Sequence, residues 1–295
     1  NQEDENDKYS YGILDGGHTY TAIIQNRDKI PSDIEKYVRM EVITNVVNIT
    51  RLSDARNTSV QVSDIALFNL EDSFEEIKLS IQDQPYASKI AYKDNETKPI
   101  GISELLRLMY AFDIEKYPDD KMAPIQSYSG KAQVFKRYKD AFSGKFYKSL
   151  TKQLPKLTEL YDIIEREMSD KYGEYKRALG VAIPRFGGVK GVEYVESGVK
   201  TEFFENKIKY SISSGYIYPV YGAFRSLLKM NDETGEVEWV FDPIEIWNEV
   251  GVSIIQNVFE TGSNPQLVGK DKQLWLSNYR LVETQRLRKL LSERT

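Results

Sequence analysis

The chain has 295 residues, 40% of them apolar and 12% aromatic, which is enough to build a sizeable core and excludes a disordered polymer. It has 40 basic and 45 acidic residues, a net charge of -5, one histidine and no cysteine. That excludes disulfides, thiolate zinc sites and cysteine nucleophiles, and argues mildly against a protein that coats nucleic acid everywhere. No apolar run is long enough to span a bilayer, and the first residues do not resemble a signal peptide, so the expected compartment is the cytoplasm, with no membrane partner.

Asn1–Asp7 holds four carboxylates and no apolar anchor, so the fold is expected to be N-terminally incomplete. Tyr11–Asp15 reads as a short buried strand ending in two glycines, and Thr19–Arg27 as the helix after it. Tyr37–Val46 places Val38, Met40 and Val42 on one face against Arg39 and Glu41, the alternation of a strand with one wet side. From Thr50 to Ile81 the pattern turns helical around the polar segment 54–59. Ser103–Phe112 is a compact apolar helix, and Pro118–Pro124 is the linker candidate that divides the chain into 1–117 and 118–295.

Beyond it, helices are expected near Lys131–Leu154 and Leu157–Lys176, then a hairpin pairing Thr201–Phe204 with Lys207–Ile212. Tyr216–Met230 reads as helix, Asp232–Gly235 as a turn into a strand Val237–Phe241, and Asp242-Pro243 as a cap opening a helix to about Glu260. A last helix spans Lys270–Glu293.

Three groups of residues have patterns that suggest chemistry. The turn Asp15-Gly16-Gly17-His18-Thr19 joins a strand to a helix. Its glycines let the backbone approach a ligand, and the helix N-terminus offers free N–H groups to a phosphate. Asp15 and His18 are the candidate catalytic pair, and Gly16, Gly17 and Thr19 the candidate ligand contacts. The plainer reading has Asp15 capping the helix and His18 satisfying a local hydrogen bond. Arg56, Asn57 and Thr58 are further candidate phosphate contacts, with helix capping by Asn57 and Thr58 as the alternative.

Residues 131–156 hold eight cations against one acid, Asp140, interleaved with aromatic residues. Lys136, Arg137, Lys139, Lys145 and Lys148 are the candidate nucleic-acid contacts. The spacing of Phe135, Tyr138, Phe142 and Phe146 favours a core stripe for the aromatics and leaves the lysines open. Glu159, Asp162, Glu165 and Glu167 are read as decorating a solvent-facing helix, and no carboxylate spacing marks a metal site. Arg185–Lys190 is read as a plain turn ahead of an anion clasp.

The segment Tyr11–Ile23 resembles the Asp-Gly-Gln-His-Arg turn of DGQHR and DndB-type proteins, which have a ParB/sulfiredoxin-like fold. It resembles more closely the Asn-Gly-Gly-Gln-Thr turn of the AIPR family, the abortive-infection phage-resistance proteins, and Thr19 follows that pattern. Ala55–Ser59, Pro124–Lys131 and Asn264–Asp271 with Trp275 resemble later blocks of the same family. Thr19 and Gly17 depart from the arginine and glutamine of the DGQHR pattern, which argues against carrying over nucleotide hydrolysis. The resemblance implies an α+β protein, with a ParB/sulfiredoxin-like α/β part in 1–117 followed by a mainly helical region with β-hairpins. It implies phage defence, leaves open whether a reaction is catalysed, and makes a nucleotide with Mg2+ the candidate cofactor. Nucleic acid, or a phage- or operon-encoded protein, is the expected partner. A non-enzymatic sensor or scaffold that recognises a phage protein is the alternative.

Overall fold

The computed structural model describes residues 13, 17–31, 34, 36–42, 71–93 and 96–293. Two units separate between Asn57 and Thr58.

In the first unit, helix α1 spans Gly17–Asn26 and runs into a single 3-10 turn, Arg27–Lys29. Thr21 and Asn26 bond back to carbonyls four residues earlier. The strand expected over 37–46 is not seen in its described part. Residues 36–42 form no ladder, and Val38, Met40 and Val42 are all exposed. Alternation sorts side chains into an inner and an outer face only where a neighbouring strand completes a sheet, and no described residue pairs with this one.

The second unit is mainly helical. Helix α2 (Glu75–Ile81) leads to the short parallel pair β1 (Ile90–Ala91) and β2 (Ile100–Gly101), and then to α3 (Ile102–Ala111). Nearly every residue of α3 is buried, as its apolar composition requires, since such a helix has no face to give to water. The short α4 (Gln126–Ser129), α5 (Lys131–Ala141) and α6 (Lys145–Thr151) precede the 25-residue α7 (Leu154–Ala178), which opens with Pro155 in its first turn. Helix α9 (Pro243–Thr261) packs on α7 and on the final α11 (Lys272–Ser292), and α3 packs on α5 and α7. Asp242 accepts from Ile244 N at 2.8 Å and Asp271 from Leu274 N at 2.8 Å, so both N-caps do what their residue types dictate. Residues on both sides of 118–124 belong to this one core.

Two elements differ from expectation. The hairpin pairs β3 (Val192–Lys200), not Thr201–Phe204, with β4 (Lys207–Ile212). The backbone N–H groups of Glu202, Phe203 and Phe204 donate to side-chain carboxylates, so they are not available to a ladder. Glu205, at φ 56°, then turns the chain. The helix expected over 216–230 is α8 (Ser214–Tyr221), followed by a 3-10 segment, Gly222–Leu227, and by β5 (Leu228–Met230), which pairs with β6 (Val237–Trp239). Pro219 lacks the N–H that would continue the helical ladder, and Gly222 is forced small because a Cβ there would lie 2.4 Å from the Trp275 ring.

An aromatic cluster fills the centre, with Tyr221 edge-on to Phe112 and Tyr161. The Tyr221 hydroxyl is buried with no hydrogen-bond partner among the described residues. A buried hydroxyl left unpaired carries its desolvation cost with nothing to offset it. Tyr221→Phe is therefore expected to leave stability unchanged or raise it by up to about 1 kcal/mol, read as the midpoint of urea unfolding. A loss of similar size would show that the hydroxyl has a partner.

Candidate functional site

Helix α1 begins at Gly17, two residues before the Thr19 start that the sequence suggests, so Gly17, His18 and Thr19 lie in its first turn. Gly17 and Thr19 are exposed, a Cβ on Gly17 would meet nothing within 4 Å, and the first turn carries no acidic residue. The first turn of α1 is thus exposed at these two positions, and the N–H groups at a helix start are the ones without an intrahelical partner. Asp15, Gly16, Arg56, Asn57 and Thr58 lie outside the described residues, as does the side chain of His18.

The basic segment is placed in full. Of the expected core stripe Phe135, Tyr138 and Phe146 are buried and Phe142 is partly buried against the same core, with Tyr147 buried beside them. The cations divide into two groups. Arg137 is committed to the interior: its Nε lies 2.6 Å from Asp113 and one terminal nitrogen 3.1 Å from Glu115. Lys131 pairs with Glu104, Lys152 with Glu236, and Lys156 with Glu159 and Asp242. Lys136, Lys139, Lys145 and Lys148 are exposed on α5 and α6. The surface open to a phosphate backbone is therefore narrower than the sequence suggests, and it excludes Arg137.

Sequence reasoning missed the buried carboxylates. Asp162 is 1% exposed and Glu165 4%, correcting their assignment to a solvent-facing surface. Asp162 accepts from Thr201 Oγ1 at 2.5 Å, Phe203 N at 3.0 Å and Phe204 N at 2.7 Å, while Glu165 accepts from Glu202 N at 3.1 Å. The available signal was the apolar flank on both sides, Tyr161 before and Ile163-Ile164 after, which gives α7 no wet face at that turn. Asp113, fully buried, accepts from Arg137, from the Tyr147 hydroxyl at 3.0 Å and from Lys116 N at 3.1 Å.

A third buried cluster joins the blocks at 124–131 and 264–271. Arg107 donates to Ser127 O at 2.7 Å, Tyr128 O at 3.2 Å and Glu104 at 2.6 Å, and its guanidinium lies 4.4 Å from the Tyr218 ring. Gly215 and Gly269 meet beside Tyr128, where a Cβ on Gly215 would lie 2.2 Å from Pro265 O and one on Gly269 2.4 Å from the Tyr128 ring. Trp275 Nε1 closes the junction on Gly269 O at 2.9 Å. These motif glycines serve close packing of backbone and ring.

Burial alone would raise the Glu104 carboxyl, but Arg107 and Lys131 beside it outweigh that and hold it at about 2. A carboxyl depressed below its unfolded value contributes stability above about pH 4.5, lost as pH falls towards 2. Roughly 2 kcal/mol is expected to disappear over that window in acid unfolding, and Glu104→Gln should remove that part of the pH dependence. An unchanged acid limb in the variant would refute the assignment.

These carboxylates have their acceptor capacity taken by protein donors, and among the described residues no group of three His, Asp or Glu side chains is arranged to hold a metal ion. No helix among them is long and apolar enough to cross a membrane. The described chain is thus a mainly helical α+β protein with three two-stranded pairings and an open glycine turn at the start of its first helix.

It belongs to the AIPR protein family, whose pattern matches residues 2–266, and that membership suggests a role in phage defence by abortive infection. No curated protein and no solved structure matches the chain.

Proposed function

We propose that this AIPR protein acts in abortive infection by binding the phosphate of a nucleotide or nucleic acid at the Asp15–Thr19 loop. The observation that supports the reading is the exposed first turn of α1, which starts at the second glycine of the pair, Gly17, and has no acidic residue within that helical turn. In this reading the N-terminal part is ParB/sulfiredoxin-like, Arg56, Asn57 and Thr58 complete the anion contacts, and Asp15 and His18 sit beside the bound phosphate, where a nucleotide would bring Mg2+. Lys136, Lys139, Lys145 and Lys148, exposed on α5 and α6, are the cations that this reading sets against a polynucleotide.

The test is titration of ATP and CTP with Mg2+, and of single- and double-stranded DNA, into the wild type, Asp15→Ala, His18→Ala and a Lys136→Ala/Lys145→Ala/Lys148→Ala variant. Loop changes are expected to weaken every ligand about tenfold, whereas the lysine changes weaken only DNA and flatten its salt dependence. Binding to none of these ligands, or binding indifferent to the loop changes, refutes the reading.

A second reading is favoured by Val38, Met40 and Val42, exposed at 63%, 81% and 72%. Adjacent apolar side chains open to water suit a sensor surface for a phage-encoded protein. Under it, Val38→Ser/Met40→Ser/Val42→Ser abolishes phage-triggered protection in cells and leaves ligand titrations unchanged.

A further inference from the structure

Arg225 is 1% exposed, and no carboxylate among the described residues lies within ion-pair distance of it. Its guanidinium reaches backbone carbonyls: Nη1 donates to Gly222 O at 2.8 Å, Nη2 to Asp119 O at 3.1 Å and Met122 O at 3.2 Å, and Nε to Tyr117 O at 3.4 Å. One face lies 4.2 Å from the centre of the Tyr279 ring, in cation–π contact. Three of the four acceptors belong to one irregular segment, residues 117–122, between α3 and α4. The side chains of Lys121 and Met122 point to water. Beyond the cation, that segment is held by buried Tyr117, by Tyr279 on Pro118 O at 3.3 Å, and by Arg280 on Asp120 at 2.6 Å.

We propose that residues 117–122 are a strap whose closed position depends on a guanidinium occupying a cage of the Tyr117, Asp119, Met122 and Gly222 carbonyls, a site for which Arg225 is the built-in ligand. The physical reason lies in the acceptors. A planar cation with five donors satisfies several carbonyls in different directions at once, which a point-charge ammonium does only in part. If the strap lifts, its carbonyls are met by water without loss. The buried cation then keeps only Gly222 O and an aromatic face, so closure and desolvation of Arg225 are one event. Burial also pulls the Arg225 pKa down to about 10, as expected for a cation with no carboxylate partner. The strap touches the end of α3 through Tyr117, the 3-10 segment 222–227 and, through Tyr279 and Arg280, helix α11, so its opening would loosen α11 from the strap and withdraw Tyr117 from the edge of the core while α7 stays packed.

Hydrogen exchange followed by mass spectrometry on the whole chain tests this. In Arg225→Ala, amides of 116–125 are expected to exchange about tenfold faster than wild type while those of α7 hold their protection. Millimolar guanidinium or methylguanidinium should restore the strap, and methylammonium or sodium chloride at equal ionic strength should not. Wild-type protection in Arg225→Ala, or no recovery with guanidinium, overturns the proposal. Should the alanine variant fail to fold, Arg225→Lys decides: a folded protein with a fast-exchanging strap supports the cage, and wild-type strap protection overturns it.

Discussion

Asp162→Ala is expected to destabilise the protein by about 4 kcal/mol, among the largest losses any single polar truncation would cause here. One buried carboxylate serves three donors on the turn after β3: the Thr201 hydroxyl and the amides of Phe203 and Phe204. Removing it strands two amides and a hydroxyl in a region where Phe203 is 1% exposed and packs edge-on to Tyr86 and Tyr161. Each stranded donor costs on the order of 1–3 kcal/mol, and partial entry of water brings the sum below the simple total. Asp162→Asn should lose about half as much, because the amide oxygen still accepts but its NH2 group opposes a donor. Thr201→Val removes one of the three bonds together with the hydroxyl oxygen that accepts from Asn206 N at 2.9 Å, and should cost about 2 kcal/mol. Equilibrium urea unfolding reads all three, and an Asp162→Ala variant within about 1 kcal/mol of wild type would show that the turn rearranges freely.

Arg137→Ala is expected to cost about 3 kcal/mol, and to do so as a folding defect with no loss of DNA affinity beyond that defect. Asp113 is fully buried and Arg137 is its only cationic partner among the described ion pairs. Without the guanidinium the carboxylate retains the Tyr147 hydroxyl and the Lys116 amide but no opposite charge. Adding Asp113→Asn to Arg137→Ala should recover part of the loss, since the uncompensated charge is then gone, and a double-mutant cycle would measure that coupling directly. The contrast with Lys136, Lys145 and Lys148 is the decisive control. Those side chains are exposed, so their alanine variants should unfold within about 0.5 kcal/mol of wild type and differ, if anywhere, in salt-dependent binding. A stable Arg137→Ala protein with DNA binding lost would return Arg137 to the nucleic-acid surface.

Local chemistry was readable where the chain's own neighbours decide it. The cap at Asp242, the turn before β6, the apolar α3 and the aromatic stripe of α5 and α6 all follow from residue type and spacing over a few positions. A helix shortly after Asp15 was legible in the same way, although it starts at Gly17 and not at Thr19. The misread elements share a cause that lies far along the chain. Thr201–Phe204 has the composition of a strand, yet its amides are claimed by Asp162 and Glu165, about 40 residues earlier. Tyr216–Met230 looks helical, but the 3-10 segment after Tyr221 ends in β5, which β6 supplies with a partner. Val38, Met40 and Val42 alternate as in a strand, although no described strand pairs with them.

The helix that follows the glycine pair was legible because glycine and a helix start are local properties, and the family match spans it. Which cations face solvent was not legible, because Arg137 and Lys136 are neighbours with equal formal charge and differ only in whether a buried carboxylate stands opposite. By itself the sequence determined the mixed class and the helix boundaries set by caps and prolines, which depend on contacts within about one helical turn. The tertiary structure alone decided which charged groups are interior. The burial of Asp113, Asp162 and Arg225 is set by partners brought from other elements, and it is these partners that make a charge stable away from water.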